Sequence, residues 1–402
     1  MMPAEVRHLL WARGLRGFGD GFVSLSLPLY LITLGFSPLQ VGVLATGTLL
    51  GSGMLTLAVG LNAYRFRYRA LLLWAAALMT ATGFAFASFN DFWPLLAIAV
   101  VGTLNPSSGD VSVFLPLEQA VLARVVSDRQ RTAVFARYSL VGALSGAVGA
   151  LFAGTSEVLA SKAHVDAKTA LQAMFILYAL LGIASGLVYR GLSPRIEVET
   201  GALAAPLHHS KRIVYTLATL FSLDSFAGGF IVQSMLALWL FQRFQLSIAV
   251  TGVIFFWTGV LSSISYLVAV RIAKRIGLVN TMVFTHLPAN CMLVLVPFVP
   301  DLPWVIVLML ARSLLSQMDV PTRSSYVMAV VRPEERAAAA SITAVPRSLA
   351  SSVSPLLAGY LLAISPFGWP LVIAGALKIV YDLLLLMTFH KVRPPEEANV
   401  GE

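Results

Sequence analysis

The chain has 402 residues, of which 58% are hydrophobic and only 12% charged, with a mean hydropathy of +0.82. A soluble globular chain carries about 25% charged residues, so a water-solvated fold is excluded and a helix bundle in lipid is indicated. The net charge of +9 raises the question of an acidic or nucleic-acid partner, which the placement of the charges answers.

Apolar runs recur along the whole chain, each near the length of about 20 residues that crosses a hydrocarbon core. In chain order the predicted spans are 15–36, 39–61, 70–90, 93–118, 132–155, 170–190, 212–240, 247–270, 278–299, 302–325, 337–362 and 367–390. The first follows a basic segment without a small-residue cleavage site and reads as a retained helix. Alternate loops collect twenty Lys and Arg on one side and only Lys162, Lys168 and Arg243 on the other. That split obeys the positive-inside rule and puts both termini in the cytoplasm. It explains the basic charge and leaves no role for nucleic acid. Trp93, Trp304 and Trp369 fall at the opposite ends of their spans, as interface anchors do. Cys291 has no second cysteine to bond with.

The two halves repeat. Gly60–Arg69 between spans 2 and 3 echoes Ala273–Gly277 between spans 8 and 9, and Asp91-Phe-Trp-Pro94 echoes Asp301-Leu-Pro-Trp304. Ser107-Ser-Gly-Asp-Val111 matches Ser316-Gln-Met-Asp-Val320 at an offset of 209, and Pro116…Arg131 matches Pro321…Arg336 at 205. The difference implies a one-turn insertion in the first half. Parallel repeats place a substrate site near the midplane between halves. The expected division is a six-helix bundle at 1–190, a cytoplasmic linker at 191–211 and a second bundle at 212–402. His208 and His209 in the linker supply too few ligands for a metal; no metal or cofactor is expected.

These features resemble the major facilitator superfamily. Its loop pattern Gly-x-Leu-Ala-Asp-Arg-x-Gly-Arg-Lys is matched at Gly60, Ala63, Arg65 and Arg69, and in the second half at Ala273, Arg275 and Gly277. Tyr64 and Lys274 stand where the family has its acidic residue, and Arg67 replaces a glycine. The resemblance implies an all-α membrane fold of twelve helices in two pseudo-symmetric bundles. It makes Arg65, Arg69 and Arg275 candidates for the cytoplasmic gating loops.

Ionisable groups inside membrane helices are costly and are functional candidates by default. Arg312, Ser316, Asp319 and Arg323 stand at i, i+4, i+7 and i+11 of span 10, and Thr103, Ser107 and Asp110 form the equivalent stripe in span 4. One polar face on each predicts a shared cavity, with Arg312 about 15 Å deep at 1.5 Å per residue. Span 11 adds Thr343, Arg347, Ser351 and Ser354; its counterpart in span 5, Tyr138, Gly142, Gly146 and Gly149, reads as close helix packing. Glu118 and Arg323, equivalent and opposite in charge, form a candidate gate pair. Lys378 and Asp382, at i and i+4, are expected to neutralise each other, and His286 to be a satisfied neutral histidine. Asp224 and Gln233, nine residues apart, should point to opposite sides of span 7.

The functional expectation is a secondary active transporter working by alternating access. Asp20, Asp110 and Asp224 are the candidates for proton coupling. Arg312 and Arg347 would hold an anionic or amphipathic organic solute, in a cavity shared with Ser316, Asp319, Thr103 and Ser107. Proton-coupled export is preferred because the resemblance leans toward bacterial twelve-helix efflux members; the alternatives are proton-coupled uptake and a non-transporting sensor or scaffold of the same fold. No His/Cys/Asp cluster points to an enzyme, and no phosphate-binding Gly-x-x-x-x-Gly-Lys-Ser/Thr loop to direct ATP drive. The expected partners are a small-molecule substrate, protons or another coupling ion, and the bilayer. A monomer in a bacterial inner membrane is expected.

Overall fold

A computed structural model describes residues 3–62, 66–107, 112–126, 128–193, 210–332 and 335–390. Among the described residues the chain is helical, without strands: α1 Ala4–Thr33, α2 Pro38–Asn62, α3 Tyr68–Ser88, α4 Phe92–Val101, α5 Phe114–Val125, α6 Asp128–Phe152, α7 Thr155–Ala163 and α8 Ala167–Arg190. There follow α9 Lys211–Gly229, α10 Gln233–Phe244, α11 Ile248–Ile276, α12 Leu278–Leu295, α13 Leu302–Leu315, α14 Asp319–Val330, α15 Arg336–Ile364 and α16 Trp369–Phe389. Ten helical stretches among the described residues are long and apolar enough to cross a membrane. Two of the twelve expected spans fall outside that group for physical reasons. Helix α1 is long enough but carries Arg13, Arg16 and Asp20 among its buried residues, and α4 is apolar but short.

Three expected helices are broken. The span expected at 93–118 stops at Val101 and resumes at Phe114; the one at 302–325 stops at Leu315 and resumes at Asp319. The sequence carries the reason: Gly102 and Pro106 interrupt the first, and Pro321 cannot donate to a preceding turn in the second. Helices α5 and α14 start at repeat-equivalent residues, whereas α4 ends early. Among the described residues of the first half, 102–107 and 112–113 are non-helical. Span 7 breaks as well, between Gly229 and Gln233, so the helical phase that set Asp224 against Gln233 does not run through it.

The chain forms two compact units, Met1–Gly201 with Val232–Gly259, and Ala202–Ile231 with Val260–Glu402. Helix α10 groups with the first unit. There the Ser234 amide donates to the Pro106 carbonyl of the α4–α5 connector at 3.0 Å.

In the first unit α1 lies directly on α6. A Cβ at Gly21 would overlap the Gly146 carbonyl, and one at Gly149 the Phe18 carbonyl, so the small stripe of α6 is a packing face. In the second unit α15 lies on α9 in the same way, but through polar groups. Ser354 donates its hydroxyl to the Phe226 carbonyl at 2.5 Å, and Arg347 donates Nε to Ser225 Oγ at 3.2 Å. The core beneath is Val214, Leu217, Phe221, Met282, Tyr326 and Leu385. Between α11 and α12, Gly277 has φ +86°, a left-handed turn that side chains with a Cβ rarely adopt.

Candidate functional site

Each unit buries its own polar centre. In the first, Glu118 of α5 is fully enclosed and accepts hydrogen bonds from Arg16 of α1, Tyr138 of α6 and, at 2.6 Å, the Tyr189 hydroxyl of α8. The Arg16 guanidinium also lies over the Phe114 ring, 4.2 Å from its centroid. Four helices are thus joined at one carboxylate.

Asp20 sits one turn beyond Arg16 on α1, also buried. The α4–α5 connector reaches it: Asn105 Nδ2 donates to Asp20 Oδ2 at 3.5 Å, while Asn105 Oδ1 accepts from the Ser107 amide at 3.0 Å and hydroxyl at 2.7 Å. Thr103 is held from the other side, its carbonyl accepting from the Tyr178 hydroxyl at 2.9 Å and its amide donating to Thr82 Oγ1 at 3.4 Å. Thr103 and Ser107 therefore belong to one pinned connector and not to one helical face. Asn105 was missed by reasoning from helical spacing. The flanking Gly102 and Pro106 were the signal that the helix stops there.

In the second unit Asp224 of α9 accepts from Lys378 Nζ of α16 at 2.6 Å and from Arg323 of α14 at 2.8 Å, and Arg323 also pairs with Asp319. Arg323 lies over Phe221 at 5.0 Å from the ring centroid. The expected Lys378–Asp382 pair is not formed, since helix packing offers each a partner elsewhere. Asp382 instead faces His286, Nδ1 to Oδ1 at 2.8 Å, and Asn290 at 2.8 Å. His286 thus has a hydrogen-bond partner in Asp382.

Arg312 occupies the last turn of α13 and Ser316 caps that helix, its amide donating to the Arg312 carbonyl at 2.8 Å. The Arg312 Nε is buried and has no hydrogen-bond partner among the described residues. Because α13 ends at Leu315, the four-residue stripe from Arg312 to Arg323 crosses a break; Asp319 and Arg323 share α14 only with each other.

Glu118 and Arg323 each find their ionic partners within their own unit. The pairings are charge-swapped copies: arginine on span 1 with a glutamate on span 4, aspartate on span 7 with an arginine on span 10. Of the loop candidates, Arg69 donates to the Arg190 carbonyl at 2.6 Å, satisfying the C-terminal end of α8. Arg275 lies exposed in the last turn of α11. Arg65 and Asp110 lie outside the described residues. No group of three His, Cys, Asp or Glu among the described residues is arranged to hold a metal ion.

The family model described as Major Facilitator Superfamily matches residues 9–311 and 217–402. The chain belongs to the major facilitator superfamily. An uncharacterized membrane protein of Saccharomyces cerevisiae is 24% identical over 419 residues, covering 95% of this chain and 93% of that one. The fold is similar to that of the nucleoside transporter NupG (TM-score 0.76, 13% identity, 96% of this chain and 100% of that one). It is also similar to a bacterial homolog of the human lysosomal transporter Spinster, inward-facing and occupied (0.75, 13%, 96% and 97%). The human organic anion transporter MFSD10 is a further likeness (0.64, 17%, 96% and 100%). As a major facilitator member with ten apolar crossing-length stretches among the described residues, the chain is a multi-pass membrane protein. Superfamily membership makes it a transporter and not an enzyme.

Proposed function

We propose that the protein is a proton-coupled secondary transporter that exports a small organic anion or amphipathic solute, with Asp20 as the proton-carrying group. The observation that carries this reading is the contact of Asp20 with Asn105 on the non-helical connector of span 4. Irregular backbone at membrane depth is tolerated where it is buried in protein or lines a cavity. An ionised Asp20 accepts from the Asn105 amide, whereas a protonated carboxyl has a proton of its own to donate. Protonation weakens this acceptor and adds a donor, and in this reading that change links proton occupancy to the conformation of span 4. Asp224 is the weaker choice, since a proton there would break its contacts with both Lys378 and Arg323. Asp110 is retained as a candidate on sequence grounds.

The named cargoes of the structural likenesses differ, nucleosides in one and organic anions in another, so the fold does not choose the substrate. Two guanidinium groups support an anionic one: Arg312 has no ion pair among the described residues, and Arg347 is bonded to Ser225. Planar guanidinium donors favour carboxylate, sulfonate or phosphate groups. Thr103 and Ser107 in the first unit, and Ser316 and Asp319 in the second, are retained as candidate substrate-binding residues. In this reading twelve helices cross a cell membrane, the inner membrane in a bacterial host, with both termini cytoplasmic, and the chain works as a monomer.

The test is transport in proteoliposomes under an imposed pH gradient. Asp20→Asn is expected to abolish gradient-driven accumulation while leaving solute exchange and membrane insertion intact. Full gradient-driven transport by Asp20→Asn would sink the assignment. Direction is tested with toxic organic anions against deletion and overexpression strains: resistance should rise with expression, and unchanged sensitivity would turn the reading to uptake.

A further inference from the structure

The second unit holds a buried titratable pair that this transport reading does not use. His286 on α12 is 3% exposed and Asp382 on α16 fully enclosed, with Nδ1 and Oδ1 2.8 Å apart. Two acceptors do not approach so closely, so a proton lies between them. Asn290, one turn along α12, donates Nδ2 to the other carboxylate oxygen at 2.8 Å, and the same nitrogen lies 3.2 Å from His286 Nδ1. The Tyr381 ring meets the imidazole edge-on, with centroids 6.1 Å apart.

The charges around the pair leave one place open. The helices packed on α12 and α16 bring Asp224 from α9, Arg312 from α13, Asp319, Arg323 and Tyr326 from α14, and Arg347 from α15. Helix α16 itself adds Lys378 and Tyr381. Of the four cations only Arg323 and Lys378 touch carboxylates, and those are Asp224 and Asp319. Arg347 is bonded to Ser225, and Arg312 has no ion pair among the described residues. Asp382 contacts no lysine or arginine there; its one ionisable partner is His286. A carboxylate this buried needs a matching charge, and the group against it is an imidazole, which supplies one when both ring nitrogens carry protons.

We propose that His286 and Asp382 form a proton-binding site, filled as an imidazolium–carboxylate pair, whose occupancy decides the partner of Lys378. With the proton bound, Asp382 is neutralised by His286 and Lys378 stays on Asp224 at 2.6 Å. When the imidazolium gives up its proton, Asp382 is left as an anion at i+4 from Lys378, within reach of its ammonium. Lys378 then moves to Asp382, and Asp224 keeps Arg323 alone. One proton leaves, no covalent bond changes, and α9 loses its tie to α16. This deepens the proton-coupling reading and rests on it for the consequence in transport, while the binding itself is read without transport.

The test uses the full chain in lipid nanodiscs with His286 as its single histidine, the other five of the six replaced by glutamine, and ¹⁵N-labelled imidazole observed at pH 7. The expected spectrum is that of an imidazolium, becoming neutral imidazole in Asp382→Asn. A neutral imidazole in the parent, or an imidazolium that survives Asp382→Asn, overturns the site. Should Asp382→Asn fail to fold, the parent spectrum alone decides. Gradient-driven flux with a neutral imidazole would remove the site and leave the coupling reading standing; an imidazolium without such flux would do the reverse.

Discussion

At the scale of single residues, the two buried guanidinium–carboxylate pairs show how charge is tolerated inside these units. Arg16 and Arg323 each meet a carboxylate from another helix and lie over an aromatic ring, so charge, donors and flat faces are matched together. Removing one member of such a pair strands its partner, at a cost of roughly 3–5 kcal/mol. Arg16→Met is therefore expected to lower the melting temperature in detergent strongly, because Glu118 keeps only tyrosine donors. Arg16→Met with Glu118→Leu removes both charges and should restore most of the loss. Equal melting of the single and double variants would show that the pair is not what holds α1 to α5. Glu118, Asp224, Asp319 and Arg323 were legible in the sequence as costly groups in apolar runs, whereas Arg16 counts with the loop charges there and is buried. Their partners were not, because Glu118 is joined to Arg16 from 102 positions away and no local spacing encodes that distance.

At the scale of elements, glycine decides how closely helices approach and where they stop. The Gly21–Gly146 and Phe18–Gly149 approaches bring the backbones of α1 and α6 into contact. Gly21→Val should separate the helices and destabilise by about 1–3 kcal/mol, as overpacking does. Gly53→Ala, with nothing within 4 Å of the added carbon, should not lower the unfolding temperature, since alanine also favours the helix, and serves as the control. The packing face of α6 was readable from its small-residue spacing. The breaks in spans 4, 7 and 10 were not read, although Gly102, Pro106 and Pro321 were in view, because hydropathy continues across them. A polar stripe counted by helical spacing holds only while the helix lasts. Arg312 and Asp319 fall on two helices and Thr103 and Ser107 on a connector, so helical phase was the wrong ruler for the site.

At the scale of the whole molecule, the loop charges make a topological prediction. In a Cys291→Ser background, Lys162→Cys should react with a membrane-impermeant maleimide in intact cells. Arg67→Cys, on the arginine-rich side, should react only after permeabilisation; both native side chains are exposed. Labelling of Arg67→Cys in intact cells would reverse the orientation. By itself the sequence determined that the chain crosses a membrane many times and does so as two repeats. Apolar length and residue identity at a fixed offset are properties of the linear chain. Only the tertiary structure decided which charge meets which. Lys378 has one carboxylate four residues away and another 154 residues away, and it takes the distant one. That choice depends on where α9 and α12 pack against α16, with Asp224 delivered to the ammonium and His286 to Asp382.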